Sequence, residues 1–276
     1  MLLPLAGFAL SGAEWDAFDS AAAKIGVGAT ITCIFMLISY LLLVNRLVKI
    51  STGNSPLASQ LKYYLSLGAA GIVLCWLLVY LNLYTASWAT AQDGSGILFS
   101  ILFALLAPAV LITRALLGSI HGLLKFLARG PALSGISGET MAFALLAVAA
   151  AGLLGGAAWP AYLFWLMWLS PLLLLAALQL LWHESTVFAA VRSGDWGRLI
   201  CAALAGLIVG NLVNYTYQVA GGSLISNLPH TLFTQAGFVL FGLLCMQLGD
   251  VIAEHWRGKT RTTQRKFPIP VVVKKN

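Results

Sequence analysis

Charge is the first thing this chain lacks. Asp, Glu, Lys and Arg make up 9% of its 276 residues, hydrophobic residues make up 60%, and mean hydropathy is +0.89. A soluble domain carries about a quarter charged residues, so there is too little polar surface here to cover a core in water. The short alternating segments of a membrane barrel are missing as well. Residues 25–44 and 63–84 instead run without a single Asp, Glu, Lys, Arg or His. About twenty such residues cross the hydrocarbon as a helix, which pairs every backbone group within itself.

Runs of this kind predict an all-α fold, a polytopic transmembrane helix bundle of about seven spans: 25–44, 63–84, 97–117, 141–157, 161–181, 196–215 and 231–253. The fourth is rich in small residues, and Pro160 leaves so short a connection to the fifth that the two read as one close hairpin. No repeat of 20–50 residues is present, which speaks against a solenoid or an inverted-repeat transporter.

The few charges are unevenly placed. Arg46, Lys49 and Lys62 follow span one, Lys125 and Arg129 span three, Arg192 and Arg198 span five, and seven basic residues follow span seven; the alternate loops hold almost none. The positive-inside rule then predicts an N-terminus outside and a C-terminus inside, in a bacterial inner membrane crossed many times. Three regions result: an extracytoplasmic or interfacial segment 1–24, a membrane domain 25–256 and a basic cytoplasmic tail 257–276. Residues 1–11 are apolar but lack a basic n-region, so they are expected to be retained. The segment around Glu14, Trp15, Asp16, Phe18 and Asp19 reads either as an amphipathic interfacial helix or as a loose tail. In the last region Arg257, Lys259, Arg261, Arg265, Lys266, Lys274 and Lys275 suit anionic lipid at the bilayer surface rather than nucleic acid. Aromatic residues cluster at the expected boundaries: Tyr80, Tyr84, Trp88, Trp159, Tyr162, Trp165, Tyr215 and Tyr217 on one side, Tyr63, Tyr64, Trp182, Trp196 and Trp256 on the other.

Chemistry-bearing groups are few. Cys33, Cys75, Cys201 and Cys245 fall inside spans without a Cys-x-x-Cys pair and read as small packing residues. His121, His183 and His255 sit at cytoplasmic helix ends, with Glu184, Asp250 and Glu254 nearby, so a metal or proton site is one reading of them and ordinary interfacial polarity the other. No His-Glu-x-x-His pattern is present, and no histidine lies deep enough in a span to ligate haem. The sequence names no cofactor.

The intramembrane ionisable candidates are Arg114 and Asp250, each near the cytoplasmic end of its span; they are placed to pair across the bundle, with ion coupling the other reading. Uncharged polar groups gather elsewhere, in the outer halves of spans six and seven: Asn211, Asn214, Tyr217 and Gln218, then Gln235, with His230 in the intervening Gly/Pro loop. These either join helices or line a ligand or partner surface, and the loop 220–230 is expected to form an irregular turn that dips into the membrane. Gly152 with Gly156, and Gly206 with Gly210, mark close helix approach, while Pro108 and Pro171 mark kinks.

Trp165, Trp168 and Pro171 with the leucines after them, followed by Gly194-Asp195-Trp196 and an Ala/Leu/Gly-rich helix, resemble a group of bacterial polytopic membrane proteins without an assigned activity. The resemblance covers about the last 100 residues. That group's helix tends to end in Trp-Glu-x-Trp-Asn, where this chain has Val213-Asn214-Tyr215-Thr216-Tyr217, so a role carried by the Glu does not transfer. Gly194-Asp195-Trp196 also reads directly as a helix start, with Asp195 capping and Trp196 anchoring at the interface.

Three functional classes follow: a non-catalytic helical subunit or scaffold of a larger membrane complex, a small-solute or lipid carrier or flippase, and a membrane-embedded enzyme. Scarcity of mid-membrane ionisable groups weighs against ion coupling and hydrolysis together, which ranks the subunit with its membrane partners first. A serine nucleophile at Ser137 with His230 as base would need two residues expected on opposite sides of the membrane.

Overall fold

A computed structural model describes residues 15–90, 95–120, 122, 127, 131, 138–182 and 194–264. Its described residues form eight helices and one two-stranded ribbon: α1 (Trp15–Thr52), α2 (Pro56–Ser59), α3 (Leu61–Thr85), β1 (Trp88–Thr90), α4 (Gly96–Gly118), α5 (Gly138–Ala158), α6 (Pro160–Leu181), α7 (Gly197–Val219), β2 (Leu224–Ser226) and α8 (Thr231–Gln264). Every helix but the single-turn α2 is long and apolar enough to cross a bilayer, and the chain is an integral, multi-pass membrane protein. The fourth span, rich in small residues, is also long and apolar enough to cross, from Glu139 to Ala158.

Successive long helices alternate in direction, which gives the bundle two ends. One, here the basic end, holds Lys49, Lys62 and Arg198; the other holds the ribbon. At its centre stands α4, whose residues Ala107, Pro108, Ala109, Val110, Leu111, Ile112 and Thr113 are buried in succession because α1, α3, α7 and α8 surround it. On α1 the buried positions Ala29, Cys33, Leu37, Leu41, Val44 and Val48 recur at helical spacing and face inward, while Phe35, Leu42 and Leu43 point outward to lipid. The Tyr40 hydroxyl meets Thr113 Oγ1 at 2.8 Å and ties α1 to α4.

Small residues set the closest approaches. Pro108 cannot donate to the carbonyl one turn earlier, and that freed Ala104 oxygen lies against Gly68 of α3, where a Cβ would come within 2.9 Å of it. The α5–α6 pair forms the expected hairpin, turning through Trp159 alone and packed tightly along its length. A Cβ on Gly152 would come within 2.7 Å of the Leu166 carbonyl, and one on Gly156 would overlap Met167. Gly206 of α7 faces Gly242 of α8, with 2.7 Å between a built Cβ and the opposing Cα, so these backbones nearly touch. All four cysteines are free and buried.

Three features differ from the sequence expectation. First, both end spans belong to longer helices: α1 begins at Trp15, with its span-length apolar part at Gly26–Thr52, and α8 runs to Gln264, with its own at Thr231–His255. Second, the 220–230 loop is neither wholly irregular nor self-contained. Its Leu224–Ser226 segment pairs antiparallel with Trp88–Thr90 from the α3–α4 connection, in the register Trp88 to Ser226 and Thr90 to Leu224. Asn82 brackets the first strand, its Nδ2 donating to the Trp88 carbonyl (2.7 Å) and its Oδ1 accepting the Trp88 N–H (3.2 Å). Asn227, just after the second strand, ties it to the residues before the first, donating from its backbone to the Ser87 carbonyl and from its side chain to the Ala86 carbonyl, both at 3.0 Å. Third, Tyr217 is no interfacial anchor: it is 7% exposed, and Gly222 lies so close over its ring that a Cβ would overlap it.

Candidate functional site

The polar residues singled out in the sequence fall into two groups at opposite ends. At the ribbon end, Asn211 of α7 and Gln235 of α8 form a reciprocal amide pair: Asn211 Nδ2 donates to Gln235 Oε1 at 2.7 Å and Gln235 Nε2 donates to Asn211 Oδ1 at 3.0 Å. The second Asn211 N–H reaches the Leu207 carbonyl at 2.9 Å. Asn214 accepts from Gln218 Nε2 at 3.2 Å, one turn apart on the same helix. Asn211, Asn214 and Gln218 are spaced three and four residues apart, so they form one stripe. Asn211, Tyr215 and Gln218 are exposed on the bundle's outer surface. His230 does not join them, because its Nδ1 accepts the Leu232 N–H at 3.1 Å and so caps the start of α8. Tyr217 points the other way, into the bundle.

At the basic end the expected pairing is corrected. Asp250 of α8 forms its ion pair with Arg198 of α7, not with Arg114 of α4. The physical reason is the Gly206–Gly242 crossing. Arg198 lies eight residues before one glycine and Asp250 eight after the other, so the antiparallel pair sets them face to face about 12 Å along. Arg114 sits within electrostatic range of both but has no hydrogen-bond partner among the described residues. Asp195 accepts the Gly197 N–H at 2.9 Å from one residue outside the N-cap, which is Trp196; the Trp196 indole donates to the Pro131 carbonyl at 3.1 Å.

Between these groups lies a contact no sequence pattern announced. Gln179 of α6 and Gln247 of α8 are fully buried and meet amide to amide at 3.0 Å. With both amides turned over, Gln179 donates to Gln247 instead, and Gln247 then also meets the α6 backbone, its nitrogen towards the Leu172 carbonyl (3.2 Å) and its oxygen towards the Ala176 N–H (2.6 Å). A lone glutamine in an apolar run looks alike whether it faces lipid, solvent or a partner.

Of the histidines weighed as metal ligands, His255 is exposed, and His121 and His183 lie outside the described residues, as does Ser137. Among the described residues no three His, Cys, Asp or Glu side chains converge as metal ligands would.

No protein-family model matches this chain, and no curated protein or solved structure matches it either.

Proposed function

We propose that this protein is a non-catalytic subunit of a larger complex in a bacterial inner membrane, docking a neighbouring transmembrane helix against the outer face of α7. The observation that supports this is the Asn211–Gln235 pair with its continuation through Asn214 and Gln218. Asn211 lies eight residues from the end of α7, about 12 Å in, yet it is exposed on the bundle surface. Amides at hydrocarbon depth are unfavourable against lipid even when paired, and a partner helix bearing polar groups relieves that cost. Tyr215 beside them adds an exposed aromatic surface of the kind that anchors interfaces. The basic loops support an orientation with the basic end cytoplasmic, where the residues after α8 meet anionic lipid.

Mild-detergent purification with mass spectrometry of co-purifying proteins tests this reading. A partner at fixed stoichiometry is expected, and a photo-reactive residue in place of Tyr215 should cross-link to that same protein in cells. Asn214→Leu with Gln218→Leu should leave accumulation normal and abolish association. Cross-linking to lipid alone, with no partner recovered, overturns the proposal.

A further inference from the structure

The basic end carries a second feature, independent of the α7 face. A cleft of about 780 Å³ opens between the α2–α3 turn, α4 and α8. Lys62 and Arg114 line it together with Ser59, Gln60 and Tyr63, over an apolar floor that includes Leu111 and Ala253. Among the described residues no acidic side chain lines it. Asp250, the carboxylate within electrostatic range of Arg114, is already held by Arg198, and Glu254, one turn further along α8, is not among the residues that line the cleft.

This shape is built by residue choice. Gly249 of α8 has no side chain where Tyr63 and Leu111 press inward: a Cβ there would stand 2.5 Å from the Tyr63 hydroxyl and 2.7 Å from a Leu111 methyl. Lys62 is the second residue of α3 and Arg114 lies four residues before the end of α4, about 6 Å in. Both cations therefore stand at the depth of lipid headgroups, just where the hydrocarbon begins. Leu61, which also lines the cleft, is 56% exposed on the bundle's outer surface.

We propose that this cleft binds a phosphate group, and that the phosphate is the headgroup of an anionic phospholipid, held by Arg114 and Lys62 with its glycerol and upper acyl carbons against Leu111 and Ala253. Snorkelling alone accounts for one long cation at a helix end. It leaves unexplained why Arg114 faces a cleft shared with Lys62 while the carboxylate within reach is committed elsewhere. Basic pockets between helix ends are the recognised geometry for such headgroups, and a guanidinium matches a phosphate with two parallel N–H donors.

The test uses the full chain purified in neutral detergent, with bound lipid counted by native mass spectrometry and affinity titrated with phosphatidylglycerol, phosphatidylcholine and inorganic phosphate. Phosphatidylglycerol should be retained and should raise the unfolding temperature, with phosphatidylcholine and inorganic phosphate ineffective. Lys62→Gln and Arg114→Gln should each weaken phosphatidylglycerol binding about tenfold, Arg114→Lys should weaken it less, and Lys49→Gln, outside the cleft, should leave it unchanged. If Arg114→Gln fails to fold, Lys62→Gln and Arg114→Lys carry the comparison. Equal affinity in parent and Lys62→Gln overturns the site; inorganic phosphate competing as well as the lipid overturns the lipid assignment.

Discussion

Arg198 and Asp250 form an ion pair between α7 and α8 because Gly206 and Gly242 let those helices cross in contact eight residues away. The pair is partly sheltered, with side-chain exposures of 32% and 13%. Removing one partner leaves the other charge uncompensated. Asp250→Asn should therefore lower stability by about 2–3 kcal/mol, whereas Arg198→Asp combined with Asp250→Arg should recover part of the loss. Thermal unfolding of the parent, Arg198→Asp, Asp250→Arg and the doubly reversed protein in detergent measures the coupling, and a coupling of zero would show the pair to be incidental.

The crossing itself makes a sharper prediction. Gly206→Leu or Gly242→Leu forces a side chain into the opposing backbone and should abolish accumulation or lower the unfolding temperature steeply. Gly237→Leu, on the same α8 with nothing within 4 Å of a built Cβ, serves as the control and should be tolerated. Similar behaviour of all three variants would place the α7–α8 contact elsewhere.

Span number and extent were legible because membrane crossing is a one-dimensional property of hydropathy and length. Which face of each span is buried was not: Leu37 inside and Phe35 outside are both apolar, so no polar side marks the surface. The small residues carried that information instead, and Gly152, Gly156, Gly206 and Gly210 were readable as contact points before any partner was known. Their partners were not readable. The sequence put Arg114 and Asp250 at one end but contained no crossing register, which is what hands Asp250 to Arg198. Pairing between Trp88–Thr90 and Leu224–Ser226 was hidden for a similar reason, since two three-residue strands far apart in sequence leave no periodicity to find.

Burial of the two glutamines predicts non-additive behaviour. Gln179→Leu or Gln247→Leu alone strands an amide in an apolar interior and should cost about 1–3 kcal/mol, while the double leucine variant should cost less than the two singles together. Unfolding temperatures of parent, singles and double decide this. Additive losses would mean that the two side chains act separately, Gln247 through the α6 backbone alone.

The ribbon joins two loops across the same end of the bundle, so it allows pairing and orientation to be tested with one set of cysteines. Ala89 stands opposite Ile225, and directly opposed Cβ atoms lie about 4.5–5.5 Å apart. Ala89→Cys with Ile225→Cys should form a disulfide on mild oxidation, whereas the diagonal pair Trp88→Cys with Leu224→Cys should do so far less. Native thiols interfere little, because all four are buried in spans. With the ribbon end outside the cytoplasm, Ile225→Cys alone should react with an impermeant maleimide in intact cells, and Thr262→Cys should react only after permeabilisation. Reversed labelling would invert the orientation and move the cleft of Lys62 and Arg114 to the outer leaflet. Failure of the opposed pair to cross-link, with both single cysteines reactive, would dissolve the ribbon.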